Sequence, residues 1–183
     1  YIDMDFKSFQ RILDKRSEAL QLGQLYASDD DLVPAELRYM ENSSVPVRMR
    51  LKGDMGDHWA GDKWSYRIHV LDGAQVAGMR RFSIQDPMTR QLINGWMFHQ
   101  MLRKEDILTT RYSFVNVVFN GKFKGTYALE ESFSEELLEA QGRPLGVMLR
   151  KPDNPQGGTG STLPFPEVYR GSSVARDPVL SSQ

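Results

Sequence analysis

The 183-residue chain has no cysteine, which removes disulfides, a thiolate nucleophile and thiolate metal sites from consideration. It also lacks any apolar run near the roughly 20 residues that a membrane-crossing helix requires. Charge of one sign is not in excess: 23 Lys and Arg stand against 24 Asp and Glu. No global field therefore recruits nucleic acid or anionic lipid, and attraction must come from local clustering. Histidine is scarce, and the spacing of His58, His69 and His99 supports no serine–histidine–aspartate arrangement. No internal repeat is present. The chain opens on Tyr1, so the lack of a signal peptide says nothing about compartment. What remains, 40% hydrophobic with 10% aromatic residues, is too apolar for a disordered chain.

Asp5 can cap a helix over about residues 6–22, with Phe6, Phe9, Ile12, Leu13 and Leu20 at helical spacing and Gly23 as the stop. "ASDDDLVPAEL" reads as a loop, because an aspartate run and Pro34 suit turns. In "SVPVRMRLK", Val45, Val47, Met49 and Leu51 alternate with Arg48, Arg50 and Lys52. In "KWSYRIHV", Trp64, Tyr66, Ile68 and Val70 alternate with Lys63, Ser65, Arg67 and His69. Both are strands of period two that can close an antiparallel hairpin. "MRRFSIQ" is a further short strand. Pro87 suits the first turn of a helix whose stripe of Leu92, Ile93, Trp96, Met97 and Met101 predicts burial on one side. Asn120-Gly121 joins two β-rich runs as a two-residue hairpin. Ser132 and Glu135 form a capping box for a helix ending at Gly142, and "LGVMLRK" reads as one more strand. Residues 152–183 are rich in proline, glycine and serine and read as a linker or the start of a next region, after a domain spanning 1–151. Helix, strands, helix, hairpin, helix is the order of an α+β fold with a mostly antiparallel sheet and packed helices.

Two features carry chemistry. The loop at 53–62 holds Gly53, Gly56 and Gly61, and glycines let backbone N–H groups approach an anion. Its Asp54, Asp57 and Asp62 repel phosphate unless a cation intervenes, and with His58 their spacing matches no calcium loop, so a solvated turn is the plainer reading. The basic face is the stronger feature. Arg48, Arg50, Lys52, Lys63 and Arg67 project from adjacent strands, with Arg80 and Arg81 near in sequence. Such a concentration costs self-repulsion unless acids or a polyanionic ligand neutralise it. Glu130 and Glu131 close the second strand of the hairpin, either as polar strand ends or as charge partners at a cleft edge.

Taken in order, "VRMRLKG", "KWSYRIHV", "RRFSIQDPMTR", "FVNVVFNGKFKGTYALEESF" and "LLEAQGRPLGVMLRK" resemble the spore coat protein H (CotH) kinase-like family over roughly residues 45–151. The resemblance implies the small lobe of an atypical protein-kinase-like fold that binds ATP with magnesium, some members phosphorylating proteins on serine. It makes Lys63 and Arg67 the phosphate contacts, with Lys52 as a third, and sets Leu129 and Glu130 beside the adenine. Two departures stand out. The second helix has no glutamate before Glu105, so the lysine–glutamate pair of ordinary kinases is not available. Catalytic and metal-binding aspartates in such a kinase belong to a large lobe, and Asp153 and Asp177 lie in tail-like sequence. A second reading is a coat or surface interaction module that keeps the fold and performs no transfer, and a third is an α+β domain with a basic groove for some other anion.

Overall fold

Asp5 caps the first helix, α1 (Phe6–Leu22), by accepting the Ser8 N–H, and Gly23 ends it in the left-handed conformation. This is the helix that the spacing predicts. The computed structural model describes residues 1–40, 44–146, 148–150 and 167–169. The chain divides into two units, Tyr1–Ser132 and Phe133–Gln183.

The first unit is a closed barrel of seven strands: β1 (Ile2–Asp3), β2 (Val33–Leu37), β3 (Val45–Leu51), β4 (Tyr66–Val70), β5 (Arg81–Gln85), β6 (Tyr112–Phe119) and β7 (Lys122–Glu131). Around the wall the order is β1-β2-β3-β4-β5-β7-β6. Every pairing is antiparallel except β1 with β6, which is parallel and consists of the single partner pair Ile2 and Phe119. The expected α+β small lobe, a sheet with packed helices, is thereby corrected to a mostly-sheet barrel with three helices among the described residues.

Two strands that the sequence pattern does not announce make the difference. Val33–Leu37 forms a strand through Pro34, at a place the proline marks as loop. Proline is tolerated there because it sits on the exposed outer face and β1 reaches only Glu36 and Leu37. Ile2–Asp3 then bridges β2 to β6 and closes the wall.

Alternation decides what faces inward. Val47, Met49, Leu51, Ile68, Phe82, Ile84, Val117, Phe119, Tyr127 and Leu129 fill the barrel, as period-two side chains of a closed sheet must. Helix α1 packs on β2 and β3, and its Phe9 reaches Trp64 and Phe119 with ring centroids 6.4 and 5.8 Å apart. The Asn120-Gly121 turn has positive φ at both residues (45° and 76°), the geometry that matches strand twist in a two-residue hairpin.

The second predicted helix departs more. Pro87–Arg90 is a 3-10 turn, Gln91 and Leu92 take left-handed φ, and only then does α2 (Asn94–Lys104) begin. No residue of α2 is fully buried; His99 is partly covered, while Trp96, Met97 and Met101 are 40, 46 and 65% exposed. The stripe therefore exists without the burial expected of it.

In the second unit, α3 (Glu135–Ala140) is capped by Ser134 rather than Ser132, and β8 (Met148–Arg150) pairs antiparallel with β9 (Glu167–Tyr169). Residues 151–166 and 170–183, including Asp153 and Asp177, lie outside the described residues. No helix among the described residues is long and apolar enough to cross a membrane.

Candidate functional site

The outward-facing positions of β3, β4, β5, β7 and β6 line up in cross-strand rows. One row runs Arg50, Arg67, Ser83, Glu130, Tyr112, each the register partner of the next. In the next row Gln85 is opposite Ala128 and Ala128 opposite Phe114, while the Lys52 N–H donates to the Ser65 carbonyl at 2.9 Å. Because the interior is apolar, the period of two places all the polar members on one outer surface.

Lys52 anchors that surface. Its Nζ donates to Gln85 Oε1 at 3.0 Å and to Glu130 Oε2 at 3.4 Å, while Gln85 Nε2 donates to the same Glu130 oxygen at 3.2 Å. Gln85 is fully buried, and the Lys52 side chain is 16% exposed. Burial holds the Lys52 ammonium below its ordinary pKa, the Glu130 carboxylate working against that shift.

Arg50 and Arg67 are directly opposed and both half-buried. Burial first, and the Arg67 charge second, lower the Arg50 pKa. Arg50 Nε lies 3.9 Å from the exposed Asp29 carboxylate, beyond hydrogen-bond range. Neither Arg50 Nε nor Arg67 Nε has a hydrogen-bond partner among the described residues, although both atoms are buried. Like charges opposite one another destabilise a sheet, and buried donors without acceptors add to the cost.

His99 of α2 stacks on Tyr112, with centroids 5.1 Å apart, and its Nδ1 is 2.6 Å from Thr109 Oγ1. Burial pushes the His99 imidazole below its usual pKa against the pull of Glu130. Burial of Tyr112 raises its phenol. Helix α2 approaches closely here because residue 95 is glycine: a Cβ at Gly95 would sit 2.9 Å from the Tyr112 hydroxyl.

The residues named from the sequence divide. Lys52, Arg67 and Glu130 come together on this surface. Lys63 does not join the Lys52 cluster: its Nζ donates to the Thr126 carbonyl at 2.9 Å and lies 5.5 Å from the Tyr127 ring centroid. Thr126 is four residues before Glu130 on β7, about 13 Å along the strand. Leu129 points the other way, into the barrel core at 5% exposure. Arg48 and Arg81 flank His69 in an outer row and are exposed. Glu131 faces inward and is bound by Arg111 through two nitrogens at 2.7 and 2.6 Å, while Arg111 also holds the Ala77 and Gly78 carbonyls. That pair ties β7 to the 71–80 connection.

The glycine-rich loop is held down. Gly53 has φ +96°, and a Cβ there would lie 2.1 Å from the His58 ring. The Gly53 carbonyl accepts from Trp59 Nε1 at 3.0 Å, and His58 Nδ1 is 2.9 Å from Ser65 Oγ. Arg16 of α1 donates to the Trp59 and Ala60 carbonyls at 2.7 and 2.8 Å. The loop is thus fastened to α1 and β4, and Gly53 is the glycine that close packing requires, since a Cβ at Gly61 would meet nothing within 4 Å. Asp54, Asp57 and Asp62 are exposed, and among the described residues no group of three or more His, Asp or Glu is placed to hold a metal ion.

The alternation in "RFSIQ" already puts Ser83 and Gln85 on the face opposite Phe82 and Ile84, and this is the signal that would have found Gln85. Nothing local in the sequence marks Tyr112 or His99, which meet only through the packing of α2. A scan against protein-family models and a search of curated proteins found no match for the chain.

Proposed function

We propose that the Arg50, Arg67 and Lys52 surface binds the phosphate groups of ATP, and that the chain is the ATP-binding part of a CotH-type protein kinase acting on serine. The observation that carries this reading is the opposed, half-buried arginine pair with two buried, unpartnered Nε donors. A phosphate group between them supplies acceptors for both guanidinium forks and removes their mutual repulsion. Lys52, pre-positioned by Gln85 and Glu130, adds a third cation on the same surface. Phosphoryl transfer is chiefly positioning and charge neutralisation, which such a surface provides. Glu130 is the one carboxylate in the aligned rows and is engaged by Lys52, so magnesium enters with the nucleotide rather than on a preformed cluster.

The second reading, a non-catalytic coat or surface interaction module, draws on the same scarcity: among the described residues the rows offer no carboxylate free to act as a base. Incubation with γ-labelled ATP, magnesium and a serine-rich acceptor such as casein separates the two. Label on serine that Arg67→Ala abolishes supports the kinase reading; ATP retained without transfer supports the module. ATP binding no tighter than inorganic sulfate contradicts both as nucleotide readings.

A further inference from the structure

The cations of the outer face do not end at the row that carries Arg50 and Arg67. One row further from Lys52, Arg48 of β3, His69 of β4 and Arg81 of β5 are successive register partners. Two residues along a strand is about 6.8 Å and one strand across about 4.8 Å, so Arg48 and Arg81 start about 10 Å apart with His69 between them. Both arginines are exposed and His69 is half-buried. From Lys52 to Arg48 the cations extend over three rows, about 14 Å of strand.

Acids are scarce on this part of the sheet. Glu130 is taken up by Lys52, and the exposed Asp29 lies 3.9 Å from Arg50 Nε. Neither Arg48 nor Arg81 forms an ion pair with a described residue. The chain as a whole is nearly balanced, 23 basic against 24 acidic residues, so the face is a local excess of positive charge that repels itself. His69 registers that excess. Burial first, and the Arg81 charge second, hold its imidazole below the ordinary pKa; Arg67 and Arg50 add to the shift and Asp29 opposes it.

We propose that the row of Arg48, His69 and Arg81 is a second anion subsite, which receives the carboxylates of an acidic peptide segment from a partner protein. Charge complementarity selects the acid, since guanidinium forks pair with carboxylates. The row carries no aromatic ring on which a base could stack, which sets it apart from surfaces that track single-stranded nucleic acid. The subsite lies beyond the positions given to phosphate and does not depend on that assignment. A carboxylate seated here favours the imidazolium of His69 against the surrounding Arg48, Arg81, Arg50 and Arg67, so binding takes up a proton and strengthens as pH falls.

The test uses the 183-residue chain and fluorescence anisotropy of a labelled probe, Gly-Ser-Glu-Glu-Glu-Ser-Gly, beside the same peptide with Gln for each Glu. The variants are the double substitution Arg48→Ala with Arg81→Ala, both at exposed positions, and the single substitutions His69→Gln and Arg67→Ala. We expect the Glu probe to bind at roughly tens of micromolar, with at least about tenfold weakening in the double variant and in the Gln probe, and less than about threefold in Arg67→Ala. Affinity should rise about threefold from pH 8 to pH 6, where the probe stays ionised, and His69→Gln should flatten that rise. ATP affinity should be unchanged in the double variant. Equal binding of the Gln probe, or of the Glu probe by the double variant, overturns the subsite. So does an absence of binding by the folded chain, or a pH profile that His69→Gln leaves in place. A loss under Arg67→Ala as large as in the double variant places the peptide on the phosphate row and overturns it as well.

Discussion

Gly53 and the arginine pair are where single residues decide most. At Gly53 a side chain must meet both a left-handed backbone and the His58 ring 2.1 Å away. Gly53→Ala is expected to lower stability by about 2–4 kcal/mol, read as a reduced urea midpoint at unchanged slope; an unaltered midpoint would mean that the loop can move. The sequence shows the glycine and invites a phosphate-cradling role, because the partner that demands it, His58, has no recognisable spacing to it. Lys52 and Arg67 are legible as a cationic face from alternation alone. That Lys63 docks on Thr126 is not, since a lysine just before a strand has four rotatable bonds and its direction is set by tertiary contact.

Among the elements, the β6–β7 hairpin is the most legible, because Asn120-Gly121 encodes its own turn. Asn120 also fastens the chain entering α1, since its Oδ1 accepts the Met4 N–H at 2.7 Å. Asn120→Gly is expected to keep the hairpin but lose that acceptor, costing about 1 kcal/mol. Amide exchange should then quicken at Met4 while β6 and β7 stay protected; loss of protection along the hairpin would show that the turn itself needs asparagine. β2 is illegible for an equally local reason, since Pro34 reads as a breaker and only the neighbouring geometry excuses it. The stripe of α2 is apolar, as its spacing says, yet it is not buried: periodicity reports which residues share a face, and packing decides whether anything covers it.

For the whole molecule, the closed wall depends on β1, two residues whose strand character is invisible without their partners on β2 and β6. The three histidines also act at this scale. Burial lowers the pKa of His58, His69 and His99. Below the ordinary value of about 6.5, the unfolded chain takes up protons that the folded chain resists, so stability falls as pH drops through that value and is unaffected by these groups above it. Urea midpoints should be level from pH 8 to 7 and decline towards pH 5, less steeply in His58→Gln; a midpoint that rises on acidification would contradict the burial.

Calorimetric titration of ATP with magnesium reads out whether the proposed outer-face cation cluster holds nucleotide phosphates. Micromolar binding, about 8 kcal/mol, weakened at least tenfold by Lys52→Ala and by Arg67→Ala but much less by Lys63→Ala, is expected. A folded chain that binds no ATP, or binds it equally well without Lys52 and Arg67, would contradict it.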